Sequence, residues 1–183
     1  MTTFSLGTLV APPAGENLDV LAAPTAALIS ELGWGDRLGA VAIDPALSDT
    51  VNFVPAFDLR DDLAANCVIV SGAREGVERV AACVVLATTR ADINGVVRKR
   101  IDVRKASFMP LDVAVERTGM EYGGITPFGL PRDWPIFVDS RVAESALLTW
   151  GAGVRAAKII APGSLVAELP HATVIEGLAR PIG

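Results

Sequence analysis

Histidine occurs once in this chain, as His171, and cysteine twice, as Cys67 and Cys83. A metal centre needs several His, Cys or carboxylate ligands at set spacings, so the sequence predicts no metal. Two cysteines are too few for a disulfide scaffold, and the reading that follows is a cytoplasmic protein with reduced thiols. Cys67 with His171 lacks any local signature of a thiol hydrolase, and Pro170-His171 reads as a surface turn. Basic excess is also missing: the formal charge is -5 and the isoelectric point about 4.9. No general basic surface therefore draws in nucleic acid, and any RNA contact must be local; no DNA partner is expected. No apolar run reaches the roughly 18 residues that span a bilayer, so no membrane partner is expected. Met1-Thr-Thr-Phe-Ser lacks the positive start and continuous apolar stretch of a signal peptide.

What is present is apolar bulk. Hydrophobic residues make up 51% of 183 and the mean hydropathy is +0.43, enough for a sizeable core in a single domain. The most unusual stretch is Gly119–Pro131, Gly-Met-Glu-Tyr-Gly-Gly-Ile-Thr-Pro-Phe-Gly-Leu-Pro. Its four glycines and two prolines fit neither a helix nor a central strand. Ile125, Phe128 and Leu130 interleave with the glycines, so the loop is held on a core rather than loose. One reading is a tight structural turn. The other is a nest of backbone N–H groups around Gly123-Gly124 that receives a carbonyl oxygen or an anion, with Pro127 stiffening the turn behind it.

Along the chain, residues 3–11 read as a short strand. Glu16–Leu32 has helical spacing, with Pro24 as a kink or a start. Val41–Ile43 reads as a strand, and a helix begins at Ser48. Ala64–Val70 and Val80–Thr88 predict a hairpin of buried strands, with Ser71–Gly76 as the turn and the two cysteines nearly opposite. Thr88 to about Arg100 predicts a helix, Lys105–Phe108 a strand and Pro110–Arg117 a helix into the glycine loop. Strands follow at Pro135–Asp139, Glu144–Trp150, Ala156–Ile160 and Ala172–Leu178, with a short helix from Pro162 and a tail from Arg180. The mixture without strict βαβ alternation indicates α+β with a mixed sheet.

Gly151-Ala-Gly-Val-Arg155 imitates half of a dinucleotide fingerprint, but Pro162-Gly163 interrupts any long helix after it. A glycine turn in a hairpin fits better, and no cofactor is expected. Arg98-Lys-Arg-Ile-Asp-Val-Arg-Lys105 gathers five cations into eight residues. That is either a solvated helix end or a phosphate-contact patch for one RNA end.

Thr118-Gly-Met-Glu-Tyr-Gly-Gly-Ile-Thr-Pro-Phe-Gly129 resembles the loop of the YbaK/prolyl-tRNA-synthetase-associated domain family, aminoacyl-tRNA deacylases whose loop runs Gly-Tyr-x-x-Gly-Gly-(Ile/Val)-Ser-Pro-x-Gly. Thr126 stands where that loop has Ser. Ala91-Asp92-Ile93, Val103–Phe108, Trp134–Asp139 and Gly151–Arg155 are similar to further family segments, from about Ser48 to Leu178. The resemblance implies a mixed, partly barrel-like sheet flanked by helices, with a core over residues 48–178 and residues 1–45 packed on it as an extension. It implies hydrolysis of the ester between an amino acid and the 3′ adenosine of tRNA. Gly123, Gly124, Ile125 and Thr126 would hold the acyl oxygen, with Pro127, Gly129, Gly153, Arg155 and Lys158 near the substrate. Arg98, Lys99, Arg100, Arg104 and Lys105 would meet the tRNA backbone. The chain departs from the family at a lysine opening the first hairpin strand, where Ala65 or Asn66 stands. Asn66 is the candidate polar group there, and Lys158 a candidate cation from the other wall. Three functions are therefore carried forward: a trans-editing hydrolase, a non-catalytic acyl-adenosine-binding module, and a hydrolase of another small acyl ester.

Overall fold

The computed structural model describes residues 3–182. The chain opens with a hairpin of β1 (Phe4–Leu6) and β2 (Leu9–Ala11), because Gly7 turns back at φ +55° inside what the sequence suggested was one strand. The first helix, α1 (Ala23–Glu31), carries Pro24 in its first turn, where a missing N–H costs nothing; the stretch from Glu16 before it forms 3-10 turns rather than the expected longer helix. Then come β3 (Gly39–Ala42), α2 (Thr50–Ala56) and the long hairpin of β4 (Ala65–Arg74) and β5 (Val77–Leu86). That hairpin turns on Glu75-Gly76 alone, both at positive φ.

The expected helix from Thr88 is first a strand, β6 (Thr89–Ala91). Asp92 then caps a π-turn, Ile93–Val97, by accepting from the Gly95 N–H, and the turn runs into α3 (Arg98–Arg100). After β7 (Ala106–Phe108), α4 (Leu111–Thr118) ends on the left-handed Gly119 and delivers the glycine loop. β8 (Ile136–Asp139) and α5 (Ser140–Ala143) lead to β9 (Leu148–Gly151), so the predicted strand from Glu144 starts later. β10 (Ala157–Ala161), α6 (Gly163–Ala167), β11 (Ala172–Ile175) and β12 (Ala179–Pro181) complete the chain. β12 corrects the expected tail, since it pairs antiparallel with β6.

The architecture is α+β with a mixed sheet. Five strands run in the order β11-β8-β5-β4-β7, parallel across β11, β8 and β5 and antiparallel from there on. A second, antiparallel sheet has the order β3-β10-β9. The two sheets touch through a bridge between Ala64 and Thr149, and none of the sheets closes. Each face of the large sheet has its own apolar layer. Ala65, Ile69, Ala82 and Val84 face the layer that includes Trp34, Phe128 and Trp150, whereas Val70, Ala81, Cys83 and Val85 face Val97, Ile101 and Leu178.

The alternation separates the two cysteines. Cys67 pairs with Val84 and Cys83 with Val68, so the thiols point to opposite faces rather than at each other. Burial pushes both thiols above their ordinary range, which keeps them protonated. Among the described residues, no helix is long and apolar enough to cross a membrane.

Candidate active site

One edge of β4 is paired with β5 along its whole length. The other edge is shared. β7 takes Val70–Gly72, β9 touches Ala64, and residues 65–69 between them have no strand partner on that side among the described residues. The Ile69 carbonyl accepts the Met109 N–H, and the pleat turns the backbone groups of Cys67 toward the same open side. A cavity of about 370 Å³ occupies this gap. Its walls come from β4, α2, the start of α4, the glycine loop and the β9-β10 sheet.

Lys158 enters from the middle strand of that sheet. Ala157, Ile159 and Ala161 fill the main core, so alternation sends Lys158 toward α2. Only 9% of the residue is exposed. Its Nζ donates to the Ser48 carbonyl at 2.9 Å and sits 4.8 Å from the centre of the Phe53 ring. Burial drives the Lys158 pKa down from 10.5 to about 8, against the pull of Asp49 and with a further push from Arg155. The Ser48 hydroxyl is also buried, and it has no hydrogen-bond partner among the described residues; Ser48 borders the cavity.

The glycine loop supplies the opposite wall through Gly123 and Ile125. Neither of their N–H groups donates to an acceptor among the described residues. Gly123 needs its glycine for φ +75°. Gly124 is turned the other way: its N–H donates to the Glu121 carbonyl at 3.0 Å, and its carbonyl accepts the Gly153 N–H at 2.7 Å. A Cβ on Gly124 would lie 2.8 Å from the Val154 backbone, so glycine here permits two loops to touch. Thr126 is fully buried, with its N–H toward the Met120 sulfur at 3.5 Å.

The other expected site residues divide plainly. Gly153 and Arg155 stand behind the loop rather than in the cavity, because the β9-β10 turn is its buttress. Glu121 N–H donates to the Gly153 carbonyl at 2.8 Å, and Arg155 N–H donates to the Glu121 carboxylate at 2.7 Å. The Arg155 guanidinium grips Asp49 through both carboxylate oxygens at 3.1 and 3.2 Å, and that hydrogen bond holds the Asp49 carboxyl below its usual range. Pro127 and Gly129 face α1 instead, in a separate crevice with Leu28 and Leu32. Asn66 borders the cavity, yet alternation puts it on the face of Val68 and leaves Ala65 and Cys67 on the inner face. The basic segment does not gather at the cavity. Arg98–Arg100 lie between Val97 and Ile101, which pack on the far side of the sheet; Arg104 and Lys105 lead into β7, whose Phe108 borders the cavity.

Ser48, Asp49, Phe53, Phe108 and Tyr122 belong to the cavity wall and were not singled out from sequence. Tyr122 lay inside the glycine motif, and its isolation as the chain's one tyrosine was the available signal.

No curated protein matches this sequence. Solved structures do match the fold. A hypothetical protein, APE2540, superposes with a TM-score of 0.74 at 17% identity, covering 86% of this chain and 99% of its own. A proposed trans-editing enzyme for prolyl tRNA synthetase superposes with a TM-score of 0.71 at 17% identity, covering 85% and 94%. At such identities the likeness concerns the fold. The sequence comparison goes further: residues 44–166, more than half of the chain and all of the cavity wall, match the aminoacyl-tRNA editing domain, and the chain belongs to that family.

Proposed function

We propose that this protein is a stand-alone aminoacyl-tRNA deacylase that hydrolyses the ester of a mischarged tRNA. The observation that carries the proposal is one cavity bordered by two unpartnered loop amides, Gly123 and Ile125, and by a buried lysine amine, Lys158. Ester hydrolysis needs donors aimed at the oxygen that becomes negative, and fixed amides in a partly dry site serve that need well. The amides receive the acyl carbonyl oxygen. Water adds to the carbonyl carbon, the oxyanion collapses, and the ribose hydroxyl leaves with a proton. Charged Lys158 lowers the energy of the oxyanion from the far wall. The open edge at Cys67 offers a carbonyl to the amino group of the acyl residue.

The family's lysine and Lys158 would then be two solutions to one electrostatic need. Ala65 faces inward at the lost position and is small. The decisive experiment measures deacylation of a panel of aminoacyl-tRNAs against spontaneous hydrolysis. Wild type is expected to exceed the background. Lys158→Ala is expected to lose about 100-fold, in line with removal of one oxyanion donor, and Ala65→Lys in that background to recover part of the rate. Gly124→Val, which drives the loop off Val154, is expected to abolish turnover. Background-level rates for wild type across the panel overturn the proposal and leave the acyl-adenosine-binding module in its place. Turnover of small esters that is indifferent to tRNA and to salt leaves the third reading, since tRNA recognition weakens with added salt.

A further inference from the structure

The chain has six Phe, three Trp and one Tyr. Of these, Phe108 at 53% and Tyr122 at 58% are the exposed ones. Both border the same cavity. They reach it from unrelated parts of the chain: Phe108 ends the edge strand β7, and Tyr122 precedes the glycine pair of the loop. Leu111, another exposed apolar side chain, opens α4 and borders the cavity too.

Exposed aromatic rings keep apolar area in water, and two that border one cavity suit a flat apolar occupant that would cover them. Tyr122 is also braced. The Arg155 guanidinium lies 5.6 Å from its ring centre while gripping Asp49, which leaves the remaining ring surface for a ligand. Ser48, Lys158 and the loop residues Gly123 and Ile125 border the same cavity, so a ligand whose ester meets them can present its other end to the rings.

We infer that Phe108 and Tyr122 form the stacking platform for the nucleobase of the terminal nucleotide, so that the cavity reads an acyl-nucleoside rather than an acyl group alone. This rests on the deacylase reading and adds a recognition element to it. Bases stack on aromatic rings without regard to hydrogen-bond pattern, so the platform supplies affinity and orients the ribose ester over the loop.

The test is binding of a non-hydrolysable amide, 3′-alanylamino-3′-deoxyadenosine, alongside its abasic counterpart, by isothermal titration. Phe108→Ala and Tyr122→Ala are each expected to weaken the adenosine amide about 10-fold and to leave the abasic amide unchanged. Tyr122→Phe is expected to bind as wild type, because the ring and not the hydroxyl is used. Both positions are exposed, and circular dichroism checks that the variants keep the fold. Equal binding of the two amides by wild type, or equal losses on both in the variants, overturns the platform. Base-dependent binding without any deacylation keeps the platform and removes the deacylase reading, whereas deacylation without base dependence does the reverse.

Discussion

Lys158 carries a conflict between folding and use. Its amine is buried, and burial is the main reason its pKa falls to about 8. Between about 8 and the ordinary 10.5 the unfolded chain binds more protons than the folded one, so stability rises with pH across that window. At neutral pH the charged amine therefore opposes folding. Lys158→Met is expected to stabilise the protein by about 1–2 kcal/mol in a denaturant titration at pH 7, with the orphaned Ser48 carbonyl limiting the gain. The same substitution is expected to remove deacylation. The rate above background should fall as the pH climbs through about 8, because the cation proposed to stabilise the oxyanion is lost. Asp49→Asn removes an anion that favours the charged lysine and should move that fall to lower pH. At this scale the sequence was partly readable. The glycine motif and Lys158 could be named from it, but not which amides of the loop stay free. Gly123 and Ile125 alternate with Gly124 and Thr126, and the phase of that alternation depends on Gly124 resting against Val154. Asn66 fails as an inward residue for the same kind of reason, a single-residue phase of β4.

Elements were legible where local pattern decides them and obscure where distant chain does. The β4-β5 hairpin showed in its apolar runs, yet Gly72 looked like a turn residue. It lies within β4 because the Lys105 carbonyl and Val103 crowd it from across the sheet, where a side chain would not fit. The strand β12 looked like a tail because nothing local marks it. It is held by Asp139, 1% exposed, which accepts the Ala179 N–H at 2.9 Å and the Arg141 guanidinium. Burial raises the Asp139 pKa, and the hydrogen bonds from Arg141 and Ala179 outweigh it, so the carboxyl titrates below its ordinary range. Its contribution is full above the ordinary carboxylate pKa and fades as the pH falls through the lowered one. Asp139→Ala is expected to cost about 3 kcal/mol in urea unfolding at pH 7 and to release β12, seen as faster amide exchange at Arg180.

At the scale of the whole molecule, the editing-domain match begins at residue 44, but the core does not. Leu21, Ile29, Trp34, Leu38 and Ala40 pack in the same apolar layer as Phe128 and Trp150, and β3 completes the sheet that carries Lys158. Deleting residues 1–43 is therefore expected to expose that layer rather than trim an appendage. Dye binding to apolar surface should rise and the cooperative unfolding transition should be lost. Trp34 also meets Phe128 edge-on, 6.5 Å between ring centres, so the deletion reaches the glycine loop itself. The sequence offered no such link, because Trp34 and Phe128 are far apart along the chain and neither sits in the repeating pattern of an element.

The open stretch of β4, residues 65–69, has a second meaning. A strand with unsatisfied hydrogen-bonding groups on one side is a template for another strand, and proteins usually guard such edges with charge, proline or a covering segment. Here the guards stand at either end, β7 and the Ala64–Thr149 bridge, and the middle borders the cavity. The proposed ligand site is thus also the place where two copies would most readily add strand to strand. Occupancy by ligand should suppress self-association, and concentrated, unliganded protein should associate through this edge first.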